Sequence, residues 1–357
     1  MNILLIGPGS IGRRHLKNLI SLGHDDIAVI SRKSNIHDEF PQCTFYHDLN
    51  EALKSEKFDA SFICTPTSVH LKNLKTLLTN GIPNIYVEKP VSNSNKGLDE
   101  VVQLAKSSSS NIIAGYDLHF DPGYLKVKEW IHANTIGKIV SANAFVGQHL
   151  AQWRPQEDYR NGMSAKKETG GGVMLDLIHE VDYLCDLFGD VAFVASTYTN
   201  SGTLEIETEE VAEILLKFSG SVMATVHFDY LQPKLKRFCI FTGTTGTIHW
   251  DLAEQKVTTV FNDRQQEFSY ASFQRNDRFV SIVKTFLESP HDEKLTTLPE
   301  AIKSLQVILA AKYASENSCV VKMNEWSMMN TERNIESTQM NRNTKTSSIK
   351  KTSNQKL

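Results

Sequence analysis

Two side chains capable of acid–base chemistry lie three residues apart, shortly after a run of three glycines. Asp176 and His179 follow Gly170–Gly172, in a stretch that predicts one helix from Met174 to Phe188. Residues three apart share a helix face, so the two side chains are expected to lie together. A histidine can exchange a proton with a hydroxyl group near neutral pH, and an adjacent carboxylate can orient it. A buried histidine bonded to the backbone is the alternative.

A lysine lies just beyond the end of an apolar strand in the first third of the chain. Lys89 lies in the tripeptide Glu88-Lys89-Pro90, which follows Tyr86-Val87. Ligands of open α/β sheets bind just beyond the carboxyl ends of the strands. A cation there can stabilise negative charge on a reacting oxygen, and a lysine with a lowered pKa can relay a proton. An ordinary lysine at a strand end is the alternative.

The start of the chain provides elements that could position a ligand near these residues. Ile3–Ile6 is an unbroken apolar run, which predicts a strand buried on both faces of a parallel sheet. Gly7, Gly9 and Gly12 follow in G-x-G-x-x-G spacing, and a helix is predicted over Arg13–Leu22. Such glycines permit a tight turn, the approach of a pyrophosphate and close packing of helix on strand. This context predicts a dinucleotide site, with a glycine-rich turn of another α/β domain as the alternative.

The second predicted strand, Ile27–Ile30, ends in a basic turn that bears on the choice of dinucleotide. Ser31, Arg32 and Lys33 follow it, and no acidic residue does. An acid at this place binds a ribose 2′-hydroxyl, whereas a nearby arginine accommodates a 2′-phosphate. The turn therefore predicts NADP in preference to NAD, which stays the alternative cofactor. An exposed basic turn without a ligand is the other interpretation.

The pattern of strands and helices divides the chain into three parts. Residues 1–118 alternate strands with helices, which is typical of a doubly wound α/β domain with a parallel sheet. Residues 119–327 contain strands joined by short turns and few helices, which predicts an α+β domain on a large, mainly antiparallel open sheet. Residues 328–357 are polar and predict a disordered tail. The open sheet predicts a homodimer or homotetramer.

Composition argues against several other classes. The chain has 357 residues and a formal net charge of -3, which gives no support for nucleic-acid binding. No apolar run approaches the roughly 20 residues that a membrane span needs, and no signal peptide is recognisable. The five cysteines are scattered and form no C-x-x-C pair. A reducing cytoplasm is therefore expected, without disulfides or a metal site.

Three motifs in this order resemble the Gfo/Idh/MocA family, the group of glucose–fructose oxidoreductase and inositol dehydrogenase. They are the glycine turn, the E-K-P tripeptide and the G-G-G run with its aspartate and histidine; with the segment Thr65–His70 they span residues from about 1 to 325. The resemblance implies a Rossmann domain and an NAD(P)-dependent oxidoreductase. Such an enzyme would transfer a hydride between nicotinamide and a secondary hydroxyl or keto carbon of a sugar, nucleotide-sugar or cyclitol. It places Lys89 beside the nicotinamide, commonly before a cis peptide bond.

The sequence departs from the family pattern at two places. Many members space the aspartate and the histidine four apart, whereas here the spacing is three, and many carry an arginine where this chain has His119. Residues 148–182 resemble members found with bacterial surface-sugar and sialic-acid-like pathways. A dinucleotide-binding sensor or scaffold without turnover, or another redox chemistry on the same fold, are the alternatives.

The site prediction has three groups of residues. The catalytic group is Lys89, Asp176 and His179. The cofactor group is Gly7, Gly9, Ser10, Ile11, Gly12, Ser31, Arg32, Lys33, Thr65, Pro66, His70, Glu88 and Lys89. The substrate group is Tyr116, His119, Trp153, Arg154, Tyr159 and Asp182. Aromatic rings stack on sugar faces and arginine pairs with carboxylate or phosphate, whereas a plain salt bridge is an equal interpretation of Asp182.

Overall fold

The computed structural model describes residues 1–31 and 35–326. Arg32 and Lys33, which are predicted to hold a 2′-phosphate, lie outside the described residues, as does the predicted tail over residues 328–357. Within the described ranges, no helix combines the length and the apolar character that crossing a membrane requires.

A parallel sheet forms the first part of the molecule. Its strands are β1 (Ile3–Ile6), β2 (Ile27–Ile30), β3 (Thr44–Tyr46), β4 (Ala60–Ile63), β5 (Asn84–Val87), β6 (Asn111–Ala114) and, from much later in the chain, β15 (Thr296–Thr297). Their order is β15-β6-β5-β4-β1-β2-β3, and only β15 runs antiparallel to its neighbour. All four residues of β1 are buried, because this strand lies at the centre of the sheet. The order reverses between β1 and β4, where ligands of such sheets bind.

Helices alternate with these strands. They are α1 (Ser10–Ser21), α2 (Asn35–Glu39), α3 (Leu49–Ser55), α4 (His70–Thr79) and α5 (Leu98–Ser107). Helix α3 begins where it does because the Asp48 carboxylate accepts hydrogen bonds from two backbone N–H groups of its first turn. Helix α1 has no such side-chain cap, because its N-cap residue is Gly9.

A second sheet of nine strands follows. Its strands are β7 (Ile139–Gly147), β8 (Val191–Thr199), β9 (Val211–Phe218), β10 (Met223–Asp229), β11 (Lys236–Gly243), β12 (Gly246–Asp251), β13 (Lys256–Phe261), β14 (Arg264–Ser269) and β16 (Val321–Lys322). The order is β14-β13-β12-β11-β7-β10-β9-β8-β16, and every pair is antiparallel except β7 with β10. The predicted fold class is confirmed.

Helices cover one face of the second sheet, and several side chains on its other face are exposed. The remaining helices are α6 (Pro122–His132), α7 (Val173–Asp176), α8 (His179–Phe188), α9 (Arg275–Glu288) and α10 (Leu298–Asn317). Helices α6, α8 and α10 pack on this sheet. Along β7, Ala142, Ala144 and Val146 are buried beneath the helices, whereas Asn143 on the other face is exposed.

The chain returns to the first sheet after it has built the second. Helix α9 packs against α1, and its residues Ile282 and Phe286 join the core on that side of the first sheet. Thr296 and Thr297 then pair with β6 at the sheet edge. Residues 275–297 thus pack on the first domain, although the sequence-based division at residue 118 assigns them to the second.

The helix predicted from Met174 to Phe188 is interrupted, so that prediction is wrong. Helix α7 ends at Asp176, and Leu177 has φ −104° and ψ 26°, outside the helical region. In a continuous helix the carbonyl oxygen of Asp176 would accept the N–H of Glu180. Here that N–H donates to the carbonyl of Leu177, and the Asp176 carbonyl accepts a hydrogen bond from Lys89 instead.

Candidate active site

The glycine turn fits a pyrophosphate. Gly7 has φ +91°, and a Cβ on Gly12 would lie 2.3 Å from the Gly7 carbonyl oxygen, so α1 packs directly on the turn. A Cβ on Gly9 would meet nothing within 4 Å. Helix α1 begins at Ser10 and has no acidic residue in its first turn. The backbone of Gly9, Ser10, Ile11 and Gly12 would hold the pyrophosphate of a dinucleotide.

A buried histidine holds together two loops that the sequence assigns to the cofactor. His70 Nδ1 lies 2.9 Å from the carbonyl oxygen of Pro90, and its Nε2 lies 2.8 Å from that of Thr65. Burial lowers the pKa of His70, and these two carbonyls oppose that effect. Both ring nitrogens are occupied, so His70 fixes the Thr65-Pro66 loop to the loop after β5. Its contact with a cofactor stays a prediction, as does that of Thr65 and Pro66.

Glu88 and Ser31, both assigned to the cofactor, are buried in the first domain. The Glu88 carboxylate lies 2.7 Å from Nε2 of His15 on α1. Ser31 donates its backbone N–H to the carbonyl oxygen of Tyr46 at 3.0 Å. Glu88 therefore joins the glycine-turn helix to the loop that carries the lysine.

Lys89 extends from the first domain to the second. Its peptide bond to Pro90 is cis. The half-buried Lys89 side chain donates a hydrogen bond from Nζ to the backbone carbonyl of Asp176, the last residue of α7. The structure thus brings Lys89 to the break between α7 and α8, where His179 begins the second helix.

The carboxylate that faces the His179 ring belongs to Asp117 and not to Asp176. His179 Nε2 lies 3.4 Å from Oδ1 of Asp117, and the other carboxylate oxygen, Oδ2, accepts a hydrogen bond from Nε of Arg278. The Asp176 carboxylate accepts a 2.6 Å hydrogen bond from the hydroxyl of Tyr230. Because α7 ends at Asp176, the two residues no longer lie on one helix, and the predicted pairing is not found among the described residues.

The imidazole of His179 is neutral near neutral pH. Burial, and then the positive charges of Lys89, Arg237 and Arg278, lower the pKa of His179 well below its ordinary value of 6.5. With the proton on Nε2, facing Asp117, the Nδ1 atom carries a free lone pair. Nδ1 is buried and has no hydrogen-bond partner in the described part of the chain. This nitrogen is therefore able to accept a proton from a ligand hydroxyl.

Two more buried polar atoms, Tyr116 Oη and Trp153 Nε1, are unpartnered within the described part of the chain. The Tyr116 ring packs edge-on against His179 with centroids 5.5 Å apart, and the Trp153 ring packs on Tyr230 at 5.4 Å. An unpaired buried polar group costs about 1–3 kcal/mol. A ligand with several hydroxyl groups would satisfy these atoms.

His119 and Asp182, two predicted substrate residues, bind each other instead. His119 Nε2 lies 2.7 Å from Asp182 Oδ2, both residues are buried, and Ser304 donates a 3.2 Å hydrogen bond to Asp182 Oδ1. Burial alone would lower the pKa of His119, but the Asp182 carboxylate outweighs it and the pKa is raised. This pair connects the segment after β6 with α8 and α10, and the contact of either residue with a substrate stays a prediction.

Arg154 and Tyr159 lie on the long loop between β7 and α7. Arg154 is half-buried, and the Tyr159 ring lies 6.4 Å from the ring of His149. Within the described ranges neither residue forms a hydrogen bond, an ion pair or a ring contact with Lys89 or His179. Their contact with a substrate stays a prediction.

The sequence interpretation missed four residues that hold the site in place. Asp117 lies three residues after the end of β6, so a carboxylate near the carboxyl end of a strand was an available signal. Tyr230 likewise follows the last residue of β10. Buried Glu180 accepts two hydrogen bonds from Arg237, at 2.7 and 3.0 Å, which fixes α8 to β11. No local pattern indicates that these groups meet.

Comparison with known proteins defines the class. Residues 1–116 match the oxidoreductase family with an NAD-binding Rossmann fold, GFO_IDH_MocA, and residues 124–249 match the GFO/IDH/MocA C-terminal domain. The chain therefore belongs to the Gfo/Idh/MocA family of oxidoreductases, as predicted.

Individual relatives are distant. The chain is similar to the myo-inositol 2-dehydrogenase of Thermotoga maritima, with 22% identity over 350 residues that cover 91% of this chain and 99% of the relative. It is similar to the 2,7-anhydro-N-acetylneuraminate hydratase of Mediterraneibacter gnavus, with 24% identity over 243 residues, 66% of this chain and 62% of the relative. Among solved structures, levoglucosan dehydrogenase in complex with NADH superposes with a TM-score of 0.78 at 15% identity, over 90% of this chain and 99% of the other.

Proposed function

We propose that this protein is an NAD(P)-dependent dehydrogenase or reductase that acts on a secondary hydroxyl or keto carbon of a sugar, nucleotide-sugar or cyclitol. One observation carries the proposal: His179 Nδ1 is buried without a partner among the described residues, and the charge of Lys89, which bonds the Asp176 carbonyl at the junction of α7 and α8, lowers the pKa of this histidine. The relatives named for inositol and levoglucosan support this substrate class.

Each residue of the site then has a defined task. A bound nicotinamide supplies the hydride acceptor or donor. His179 Nδ1 takes the hydroxyl proton during oxidation and returns it during reduction. Lys89 donates a hydrogen bond to the same oxygen and stabilises its developing negative charge. Asp117 orients the ring of His179 and stabilises the imidazolium that forms.

The surrounding polar atoms suit a substrate with several hydroxyl groups. Tyr116 Oη and Trp153 Nε1 offer two unused hydrogen-bonding positions, and the Asp176 carboxylate, which binds Tyr230, has capacity for a further donor. Substrate hydroxyls can fill these positions, which an apolar substrate cannot do.

Family membership indicates a nicotinamide dinucleotide but does not distinguish NADP from NAD. We propose NADP, because the turn that contains Arg32 and Lys33 carries no acid for a ribose 2′-hydroxyl. NAD is the competing cofactor. The buried free cysteines Cys43, Cys64, Cys185 and Cys239 agree with a proposed location in a reducing cytoplasm.

We further propose a homo-oligomer that uses the open face of the second sheet. This face exposes Leu215 by 50%, Met223 by 49% and Phe193 by 43%, on three different strands. Apolar side chains exposed together on one sheet favour contact with a partner, and a second copy of the chain would cover them.

A redox-neutral hydration is the second candidate function. The relative named a hydratase favours it. In that case a hydride removed from the substrate is returned before product release, so the dinucleotide is unchanged at the end. The same His179 and Lys89 would act on the oxidised carbon.

The experiment is a cofactor titration followed by a substrate screen. Binding of NADPH and of NADH is measured by quenching of intrinsic fluorescence, and polyols and keto sugars are then screened with the tighter-binding cofactor by the absorbance of reduced nicotinamide. Net oxidation or reduction that Lys89→Met abolishes supports the dehydrogenase. Product formation without net change of the cofactor supports the hydration. Unchanged turnover in Lys89→Met contradicts both.

A further inference from the structure

A second cleft with positive charge lies beside the glycine turn, between α1 and the N-terminal end of α9. It has a volume of about 690 Å³, and Arg13, Arg14 and Lys17 of α1 line it together with Arg275 of α9. We refer to it as the α1–α9 cleft. The mechanism proposed above does not use any of these four side chains.

The positive charge of the α1–α9 cleft is only partly balanced. Arg13 and Lys17 share one carboxylate, that of Glu39, at 2.9 and 3.1 Å. Exposed Glu157 also lines the cleft, which leaves an excess of two positive charges. Within residues 1–31 and 35–326, neither of the other two arginines has a carboxylate partner, so an anionic ligand would be favoured here.

The two arginines without a carboxylate partner line the cleft from different helices, Arg14 from α1 and Arg275 from α9. The guanidinium of Arg14 lies 4.6 Å from the centre of the Phe279 ring, which fixes it against α9. Burial, and then the charges of Arg278 and Arg14, lower the pKa of Arg275. Neighbouring cations therefore repel one another in this cleft, and a bound anion would relieve the repulsion.

A buried amide provides an independent sign of a missing ligand. Asn18 lines the cleft and is only 3% exposed. Its Oδ1 accepts a 2.8 Å hydrogen bond from Asn276, while its Nδ2 has no partner among the described residues. An unpaired buried donor is unfavourable, whereas an oxygen of a bound anion would accept this N–H.

We infer that the α1–α9 cleft binds a phosphate group other than the pyrophosphate at the glycine turn. The cleft offers hydrogen-bond donors from two guanidinium groups, a lysine and an amide N–H. So many donors match the several acceptor oxygens of a phosphate better than the two oxygens of a carboxylate. The phosphate can come from a separate phosphorylated metabolite, such as a nucleotide-sugar. It can also be the 2′-phosphate of NADP, in which case the inference rests on the proposed cofactor.

The test uses inorganic pyrophosphate as the probe, titrated calorimetrically into protein that is saturated with NAD. Saturation keeps the glycine turn filled, so heat reports on a different site. The variants are Arg14→Gln and Arg275→Gln, with Arg275→Lys to retain the charge. Lys284→Gln is the matched control, because Lys284 lies on the same helix with a 56% exposed side chain. NAD, NADP and NADPH affinities are measured for each variant.

A separate ligand is supported if pyrophosphate binds beside NAD and either glutamine variant weakens it about ten- to hundredfold, as expected for a lost charge-assisted hydrogen bond. The NADP source is supported if those variants weaken NADP by that factor and leave NAD unchanged. Both glutamine variants behaving like Lys284→Gln in every titration would overturn the inference. Failure of the wild-type protein to bind NAD, NADP and NADPH alike would instead count against the proposed function.

Discussion

His179 Nε2 and Asp117 Oδ1 lie 3.4 Å apart, although 61 residues separate them in the chain and they begin different elements. Asp117 follows the last strand of the parallel sheet, and His179 begins the helix beneath the antiparallel sheet. Arg278, from a third segment, donates a hydrogen bond to the same carboxylate. The proposed general base is therefore oriented by contacts between the two domains and not by its own helix.

Replacement of Asp117 by asparagine should lower kcat about 100-fold, because the ring of His179 loses its orienting carboxylate and the stabilisation of its charged form. NADPH binding should be unchanged. Steady-state kinetics and a cofactor titration measure both. Asp190→Asn, at an exposed ion pair with Lys303, is the control. Equal kcat in the two variants would exclude an orienting role for Asp117.

Replacement of Lys89 by methionine should lower kcat by about 100- to 1000-fold, since the developing negative charge loses its partner. It should also raise the pKa of His179 towards 6.5, because Lys89 lowers that pKa more than any other charged side chain among the described residues does. Titration of the histidine ring by NMR tests this shift. Lys75→Met, at an exposed pair with Glu100, should leave the pKa of His179 where it is. An unshifted pKa in Lys89→Met would show that the two groups do not interact.

Two alanine substitutions in the glycine turn should separate stability from binding. Gly12→Ala should destabilise the protein by about 1–3 kcal/mol, because its Cβ would lie 2.3 Å from the Gly7 carbonyl oxygen. Gly9→Ala should melt like the wild type, since its Cβ meets no protein atom, but it should weaken NADPH binding. Thermal denaturation and fluorescence titration compare them. Normal NADPH affinity of Gly9→Ala would place the pyrophosphate elsewhere.

Breaking the buried pair of His119 and Asp182 should cost about 3–5 kcal/mol in the free energy of unfolding. His119→Gln is the test, measured by urea denaturation. Because the folded protein raises the pKa of His119 above 6.5, the charged pair stabilises the fold fully below pH 6.5 and less as the pH rises through the folded pKa. The difference from the wild type should therefore shrink at higher pH. A difference that grows with pH would contradict a charged His119.

The sequence predicted the parts of the site that depend on local motifs. The glycine turn and the strand before Lys89 follow from short spacings, and the fold class follows from the change in periodicity after residue 118. The structure brings Lys89 and the α7–α8 junction together as the motif order implied.

The remaining features depend on contacts between distant segments. The apolar pattern continues through Leu175, Ile178 and Val181, so periodicity predicted one helix. Its interruption coincides with the hydrogen bond from Lys89, which lies 87 residues earlier. Asp117 and Arg278 likewise meet only in the tertiary structure. Single-sequence patterns carry no information about such pairs.

The return of α9 and β15 to the parallel sheet has a consequence for how the molecule can be divided. The polypeptide crosses between the two sheets three times, near residue 118, before Arg275 and after Thr297. A fragment ending at residue 118 would leave the edge of β6 open and the side chains that pack on α9 exposed. Such a fragment should aggregate, whereas joining residues 275–297 to it should restore a soluble domain. Three connections also restrict rotation of one domain against the other. Lys89 and Asp117 on one side of the proposed catalytic site should therefore keep their positions relative to His179 without a ligand.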